Sequence, residues 1–413
     1  MSSPLTPSPI IRSDTTAEAP AGVFSRAAMG RFGIVALGTL LGGSSAPTPV
    51  YQLYQAHWGL SHVMLTIIFG AYALSLLVAL LTIGSLSDYV GRRPAIFGGL
   101  VLSALAMAVF VVADSPGWLI GARMLQGVAT GAAISALSAL ILDTHAARGA
   151  MINAIAPFIG MSIGALGSSA LVALAPAPTQ LVYVLLMLGF GSLAILIIWM
   201  PETASKRPGA LASLLPNIAV PQRARRALLM VSPVNVAVWS LSAFYLSLMP
   251  SVLREVTGMH SPFIGGVVVA TLTLSGATGV WLFRDWHPRR ILITATSLLI
   301  AGVAVTLLGV YTQQVAVLMI GTLIAGFGFG PGFFGAARTL FPLAEPSERA
   351  GLLSAFFLQS YLAFSLPAIL VGLAIPHLGL ALATDVYGGA IIVLALVTLV
   401  ATIIAARRAR AMS

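Results

Sequence analysis

Cysteine is absent from the chain, and charged residues are scarce. The absence of cysteine excludes disulfide bonds, thiolate metal sites and cysteine nucleophiles. Only 8% of the 413 residues are charged and 58% are hydrophobic, whereas about 25% of the residues in an ordinary soluble protein are charged. So few charges do not cover a water-facing surface, so most of this surface must face lipid. The composition therefore indicates a protein that crosses the membrane several times.

Acidic residues are especially few, with 11 against 21 basic ones and a formal net charge of +10. The basic residues lie in short clusters between apolar runs, which is not the pattern of a nucleic-acid surface. The sequence contains no Walker loop and no His-Glu-x-x-His pattern. We therefore expect neither an enzyme nor a nucleic-acid-binding protein, and we expect no cofactor or metal ion.

Apolar runs of about 20 residues follow one another from residue 32 onward. A helix of that length crosses roughly 30 Å of hydrocarbon, and bare strands or loops would leave backbone groups unsatisfied in lipid. The sequence predicts twelve transmembrane helices, with a disordered tail at 1–25 and a second tail at 406–413. The predicted spans 1 to 12 are 32–54, 62–83, 95–113, 117–142, 151–175, 180–200, 228–250, 262–282, 291–310, 314–337, 350–373 and 384–405.

Basic residues accumulate on one side of the predicted membrane. When both termini are placed on the same side, 19 of the 21 lysine and arginine residues lie in segments on that side. Of the other two, Arg254 lies in an outer loop and Arg123 lies within span 4. Lysine and arginine are enriched in the cytoplasmic loops of membrane proteins. Both termini are therefore predicted to be cytoplasmic.

The chain shows signs of an internal duplication. The longest loop, at 201–227, divides the spans six and six, and Asp88 and Arg92 after span 2 recur as Asp285 and Arg289 after span 8, at an offset of 197. Two halves of parallel topology are typical of secondary transporters, which bind substrate between the halves. The predicted units are a six-helix bundle at 26–200, a cytoplasmic linker at 201–227 and a six-helix bundle at 228–405.

The loop after span 2 carries a recognisable motif. Residues 84–93 read Gly-Ser-Leu-Ser-Asp-Tyr-Val-Gly-Arg-Arg. The segment resembles the signature loop of the major facilitator superfamily, Gly-x-Leu-small-Asp-Arg-x-Gly-Arg-Arg, and departs from it mainly at Tyr89, where the family usually has a cation. The resemblance covers the chain from about residue 32 to residue 405, and its pattern is closest to drug and metabolite efflux members. It implies an all-α integral membrane fold of twelve transmembrane helices in two pseudo-symmetric six-helix bundles.

This signature loop combines two glycines, one acid and two arginines. The glycines permit a tight turn and close helix approach, the acid suits the positive end of a neighbouring helix, and the arginines suit carboxylate partners. In the family, such contacts hold one closed state of the transporter. A simple anchor of positive charge is the alternative. The predicted latch residues are Gly84, Asp88, Gly91, Arg92 and Arg93, with Asp143 at the inner end of span 4 as the partner of the arginines.

Span 4 contains Arg123 about six residues inside the outer membrane face, or roughly 9 Å at helical rise. A charge at that depth costs on the order of 3 kcal/mol and usually marks function. Two roles fit: contact with an anionic substrate group, and help in a proton relay, as proposed for family members. An arginine that snorkels outward or caps carbonyls is the structural alternative. No acid falls in the middle of a predicted span, so Asp114, facing the mouth where Arg123 enters, is the candidate coupling carboxylate.

Glycine and proline interruptions at 42–49 in span 1 and 326–332 in span 10 predict broken helices along a transport path. In the family, spans 1, 4, 7 and 10 line the central cavity. Each polar or aromatic residue there also fits a simple helix–helix contact, but the set describes an uncharged, aromatic cavity for amphipathic solutes. The predicted lining residues are Ser45, Thr48, Gln126, Asn235, Trp239 and Ser242, with Tyr72, Gln359 and Tyr361 from spans 2 and 11.

Span 5 bears on the direction of transport. Exporters of the family often carry Gly-x-x-x-Gly-Pro-x-x-Gly-Gly there, and this chain has Gly160, Gly164, Ala165, Ser168 and Ser169 at those places. The small residues preserve close helix packing. The missing proline and glycine pair weaken the export interpretation, and plain helix packing explains the small residues equally well.

The leading hypothesis is a monomeric transporter of the bacterial inner membrane that exports small amphipathic organic compounds in exchange for protons. A second hypothesis is an importer or facilitator of a small organic acid or other metabolite, by symport or uniport, with Arg123 as the anion contact. A third is a transport-inactive membrane sensor. The 201–227 loop is too short for a folded signalling domain, which argues against the sensor.

Overall fold

The computed structural model describes residues 24–258, 261–345 and 347–411. Residues 1–23, most of the predicted tail at 1–25, lie outside the described residues. Residues 412 and 413 also lie outside them. The described part of the chain is helical and contains no β-strand. Its α-helices are α1 Arg26–Ser45, α2 Pro47–Trp58, α3 His62–Ile83, α4 Ser87–Val90, α5 Arg92–Val111, α6 Pro116–Thr144, α7 Gly149–Leu174, α8 Leu181–Ile197, α9 Gln222–Ser247, α10 Met249–Thr257, α11 Pro262–Phe283, α12 Pro288–Tyr311, α13 Val315–Leu340, α14 Arg349–Leu378 and α15 Leu380–Ala411.

Each predicted span corresponds to one long helix or to a pair of helices. Among the described residues, 11 helical segments are long and apolar enough to cross a membrane, and α8 is a shorter apolar helix. The predicted all-α fold with twelve membrane helices is therefore confirmed. The helices run past several predicted ends, most clearly in α15, which continues through Arg407 into the predicted tail.

Successive spans alternate in direction, so the chain returns to one face after every second span. We call this the linker face, because the segment between α8 and α9 crosses it together with the loops that follow α3, α6, α11 and α13. The linker contacts both halves of the chain. The Arg207 N–H donates to the Tyr89 carbonyl at 3.0 Å, and the Ala219 N–H donates to the Gly351 carbonyl at 3.3 Å.

The two groups of six spans pack against each other through α3 with α14 and through α7 with α11. Small residues permit this approach: a Cβ at Gly372 would overlap with Thr66, and one at Gly266 would overlap with Ser169. Both pairs lie in the halves of their helices that are remote from the linker face. The two groups therefore meet most closely toward the opposite face.

Span 10 is not broken, contrary to the sequence prediction. The α13 helix is continuous and contains Pro331 in its interior. Its glycines serve packing instead, because a Cβ at Gly330 would overlap with the backbone of Gly276, and one at Gly328 would lie 2.7 Å from the Ala295 carbonyl oxygen. Close approach of α11 and α12 thus explains the glycines that the sequence analysis assigned to a break.

Spans 1 and 7 are the interrupted ones. Span 1 is interrupted at Ala46 between α1 and α2, as predicted, and span 7 is interrupted at Leu248 between α9 and α10, which was not predicted. Proline follows each interruption and has no N–H, so the carbonyl four residues earlier lacks its helical donor. Pro250 has this effect on the Leu246 carbonyl. The partners of these carbonyls lie in the candidate site.

Candidate functional site

Arg123 of α6 lies beside the break in span 1 and is fully buried. Its Nη1 donates to the Ser44 carbonyl at 3.1 Å and to Gln126 Oε1 at 2.8 Å, and its Nε donates to the Tyr51 hydroxyl at 2.6 Å. Ser44 belongs to the last turn of α1, whose final carbonyls have no helical donors. Arg123 therefore caps the end of α1 and joins it to α2 through Tyr51.

Other side chains complete the cap on the break. Gln126 Nε2 donates to the Gly43 carbonyl at 2.8 Å, which is the carbonyl that Pro47 leaves without a helical donor. The Ser168 hydroxyl of α7 donates to the Ala46 carbonyl. The interruption in span 1 is therefore stabilised by polar side chains from α6 and α7.

The charge of Arg123 is balanced without an acid. In the described part of the chain, no carboxylate lies within 4 Å of its guanidinium. The guanidinium carbon lies 5.5 Å from the ring centroid of Tyr51 and 5.3 Å from that of Tyr72, and the C-terminal end of α1 contributes partial negative charge. Its Nη2 is buried and has no hydrogen-bond partner among the residues that the structure describes. This nitrogen is chemically suited to donate to an anionic or neutral acceptor.

The structure does not bring Asp114 to Arg123. Asp114 is exposed in the turn that precedes α6, whereas Arg123 is buried rather than directed to a mouth. The guanidinium turns inward because the break in span 1 offers carbonyl acceptors there. Of the structural alternatives for Arg123, snorkelling toward the membrane surface is thus excluded and carbonyl capping is observed.

An aromatic cluster surrounds Trp239 of α9. Its ring centroid lies 4.8 Å from that of Tyr361, 5.6 Å from that of Phe364 and 5.8 Å from that of Phe333. Phe364 also contacts Phe69 of α3 at 4.8 Å, so the cluster joins the two groups of spans. The three phenylalanines were not predicted, because their positions in apolar helices do not distinguish them from ordinary packing residues.

Polar groups accompany this cluster on α9 and α14. Asn235 lies one helical turn before Trp239, and its Nδ2 donates to Ser360 Oγ at 2.9 Å and to Gln359 Oε1 at 3.2 Å. Ser242 lies on the same side of α9 and is buried. An amide pair next to this cluster of aromatic rings provides both apolar surface and hydrogen-bonding groups.

The nine predicted cavity residues fall into three groups by their contacts. The first group surrounds the break in span 1, the second is a contact between α2 and α9, and the third accompanies the aromatic cluster. The first group is Ser45, Tyr72 and Gln126. The second is Thr48. The third is Asn235, Trp239, Ser242, Gln359 and Tyr361.

The signature loop forms a network at the linker face. Arg92, the first residue of α5, pairs with Asp88, and its Nε lies 3.8 Å from Asp143 Oδ2 at the end of α6. Its Nη1 also donates to Ser87 Oγ at 2.9 Å. The contacts of Arg92 therefore join the loop after α3 to the end of α6.

Glu202, in the linker after α8, is a member of this network that the sequence analysis missed. Its carboxylate accepts from the backbone N–H of Arg92 at 2.7 Å and of Arg93 at 3.1 Å. Glu202 rather than Asp88 thus lies at the positive end of α5. Gly91 has φ of +106°, and a Cβ there would overlap with the Glu202 carboxylate. The available signal was an acid directly after span 6.

At the opposite face, α2 and α10 join the two groups of spans. Gln52 Nε2 donates to the Pro250 carbonyl at 3.3 Å, and Arg254 Nη2 donates to Gln55 Oε1 at 2.8 Å. Within the described ranges, hydrogen bonds between the two groups run from mid-span to this face. At the linker face the two groups are connected by the linker. The molecule is therefore closed at the opposite face.

Comparisons with known proteins agree with this architecture. The sequence model described as "Major Facilitator Superfamily" matches residues 33–366. The chain is 26% identical over 312 residues to the multidrug resistance protein MdtL of Klebsiella pneumoniae subsp. pneumoniae, which covers 72% of this chain and 76% of that protein. It is 37% identical over 117 residues to the inner membrane transport protein YajR of Escherichia coli K12, which covers 28% of this chain and 25% of that protein.

Solved structures of transporters share the fold. A mutant of the peptide transporter POT in complex with alafosfalin superposes with a TM-score of 0.71 at 17% identity, over 90% of this chain and 93% of that one. A mutant of the nucleoside transporter NupG gives a TM-score of 0.70 at 10% identity, over 90% and 98% of the two chains. With the family match over most of its length, the chain belongs to the major facilitator superfamily of membrane transporters.

Proposed function

We propose that this transporter exports small amphipathic organic compounds across the bacterial inner membrane in exchange for protons. The resemblance to MdtL, a multidrug resistance protein, extends over 72% of the chain and supports export. The aromatic cluster around Trp239 supports the substrate class, because aromatic rings bind apolar surface and the neighbouring Asn235 and Gln359 offer hydrogen bonds.

The main support for alternating access is that the two groups of spans are joined differently at the two faces. Side chains of α2 and α10 join the two groups directly at the opposite face, whereas the linker joins them at the linker face. We propose that 26–200 and 228–405 rock as two bundles about the middle of the membrane. With the arginine-rich linker face in the cytoplasm, this arrangement corresponds to a state closed toward the outside.

Proton coupling requires a group that titrates, and the spans contain no acid in their middle. We propose Asp114 as the coupling carboxylate, because it is exposed at the opposite face and is the acid nearest to Arg123 along the chain. In this proposal Asp114 takes up a proton from the outer side, and Arg123 responds to the change through α6 rather than by direct contact.

One observation favours a second function, the import or facilitated passage of a small organic acid. Arg123 has no acid partner in the described residues, and its buried Nη2 lacks an acceptor. A substrate carboxylate would provide an acceptor for this nitrogen and a charge-assisted hydrogen bond. In that case Arg123 contacts substrate directly once the spans have moved.

The test uses everted membrane vesicles that hold a proton gradient reported by a pH-sensitive dye, with a panel of amphipathic solutes and organic acids. Export predicts that amphipathic solutes dissipate the gradient and that Trp239→Ala raises the half-saturating solute concentration about tenfold. Trp199→Ala is the matched control, because Trp199 is exposed just after α8 and takes no part in the aromatic cluster around Trp239. A response to organic acids alone, lost in Arg123→Gln, would replace export by the second function.

A further inference from the structure

The loop after α11 differs from the signature loop in which of its charged side chains form ion pairs. Arg284 Nε lies 3.3 Å from Asp285 Oδ2, so the one acid of this loop is already paired. Arg289 and Arg290 have no carboxylate within 4 Å among the residues the structure describes. This loop therefore carries unbalanced positive charge at the linker face.

The acids of the two loops have different partners because of one position in the duplicated sequence. Asp88 follows Ser87, which carries no charge, and pairs with Arg92 four residues later. At the offset of 197, Asp285 follows Arg284, which occupies its carboxylate. In the first copy the acid thus pairs with Arg92, whereas in the second copy it pairs with Arg284 and leaves both Arg289 and Arg290 without a carboxylate partner among the described residues.

Aromatic stacking fixes one of these arginines. The rings of Trp286 and Phe283 stack with centroids 4.5 Å apart, and the guanidinium carbon of Arg290 lies 3.9 Å from the Trp286 centroid. A guanidinium that stacks by its face keeps the N–H donors on its edge available. Arg338 Nη1 donates to the Trp286 carbonyl at 3.1 Å and holds the loop in place. The donors of Arg290 are therefore preorganised.

Apolar surface lies directly beside this charge. Trp281 and Leu282, in the last turn of α11, are 51% and 47% exposed. The guanidinium carbon of Arg284 lies 4.9 Å from the Trp281 ring centroid. Tryptophan is enriched where hydrocarbon meets headgroups. An apolar edge next to a cationic edge matches a lipid, whose acyl chain contacts the first and whose phosphate contacts the second.

We propose that the segment 281–290, supported by Arg338, binds the headgroup of an anionic phospholipid in the leaflet at the linker face. Arg289 and Arg290 donate to the phosphate, and Trp281 and Leu282 contact the acyl region. This site is independent of the direction of transport and of the substrate. It anchors the linker end of α11 and α12 to the membrane.

The experiment measures lipid retained by the full-length protein after its release from nanodiscs of phosphatidylethanolamine and phosphatidylglycerol, by native mass spectrometry. We expect the wild type to retain phosphatidylglycerol in preference to phosphatidylethanolamine. The double substitution Arg289→Gln with Arg290→Gln should lower the affinity for phosphatidylglycerol about 30-fold. Arg225→Gln with Arg226→Gln is the matched control, because these adjacent exposed arginines lie at the same face. It removes the same charge and should change the affinity less than twofold.

Two further measurements distinguish binding at this site from non-specific attraction of lipid to positive charge. Trp286→Leu keeps every arginine but removes the stack, and should lower the affinity about threefold to tenfold. Equal losses in both arginine pairs, or no preference for phosphatidylglycerol in the wild type, would overturn the proposal. Displacement of the bound lipid by millimolar inorganic phosphate would also overturn it, because a free anion would then suffice. Size-exclusion elution and helical circular dichroism establish that each variant is folded.

Discussion

The Thr48 hydroxyl donates a 2.9 Å hydrogen bond to the Leu246 carbonyl and so joins the first six spans to the last six. Pro250 has no N–H, which leaves the Leu246 carbonyl without its helical donor. Thr48 therefore satisfies a backbone group that the interruption in span 7 exposes. This contact can open without breaking a helical hydrogen bond, provided that water replaces the hydroxyl.

Thr48→Val should weaken the closure at the opposite face. The substitution keeps the shape of the side chain but leaves a buried carbonyl unsatisfied, at a cost of about 1–3 kcal/mol. We expect amide hydrogen exchange in 47–58 and 249–257 to accelerate about tenfold, measured by mass spectrometry in detergent or nanodiscs. Thr39→Val is the control, because the Thr39 hydroxyl donates to the Val35 carbonyl of its own helix and not to the other group of spans in the described part of the chain. Equal acceleration in both variants would contradict the role of Thr48.

Tyr51→Phe should destabilise the break in span 1. It removes the acceptor of Arg123 Nε and leaves a buried charged donor unpaired, while the ring remains beside the guanidinium. The expected loss is about 1–3 kcal/mol, measured as a lower midpoint of thermal unfolding in detergent. Tyr311→Phe removes a hydroxyl that is exposed at the end of α12 and should leave the midpoint unchanged. An unchanged midpoint in Tyr51→Phe would show that Arg123 does not depend on this bond.

Much of the fold could be predicted from the sequence because membrane length, charge asymmetry and duplication are properties of the chain itself. The spans and the grouping of Asp88 with Arg92 followed from these patterns. The direction of Arg123 did not, because it depends on carbonyls that become available only when α1 ends at the break.

Other differences between the sequence prediction and the structure also arise from tertiary contacts. The glycines of span 10, such as Gly330, read as a break but permit close packing, and the sequence does not distinguish the two uses. Glu202 lies in a linker more than 100 residues after Arg92, so only the folded chain brings its carboxylate to the start of α5.

Gly91→Ala should disturb the signature loop. The backbone at Gly91 has φ of +106° and ψ of 155°, a conformation that essentially only glycine adopts and that costs other residues about 1–3 kcal/mol, and the added methyl group would displace the Glu202 carboxylate from α5. We expect a loss of about 2–3 kcal/mol in the free energy of unfolding. Gly98→Ala is the control, because a Cβ there meets open space within α5, and alanine should stabilise the helix by about 0.5–1 kcal/mol. Loss of stability in Gly98→Ala alone would refute this interpretation.

Asp88→Asn should slow the transport cycle without removing the protein from the membrane. The substitution breaks the ion pair with Arg92 but leaves the weaker contact of Arg92 with Asp143 at 3.8 Å. Since the pair lies at the linker face, far from the aromatic cluster, turnover should fall about tenfold while half-saturation changes less than twofold. Initial transport rates at several solute concentrations, normalised to membrane abundance, separate the two effects.

The duplication provides a matched control for this last prediction. Asp285→Asn removes the corresponding acid of the second loop, whose partner is Arg284 and whose side chain is 81% exposed. It should leave turnover unchanged, because exposed ion pairs contribute little and Asp285 makes no contact with Arg289 in the described structure. A tenfold loss in both variants would assign the effect to the charge of the linker face. A loss in Asp88→Asn alone would assign it to the network that joins the end of α6 to the start of α5.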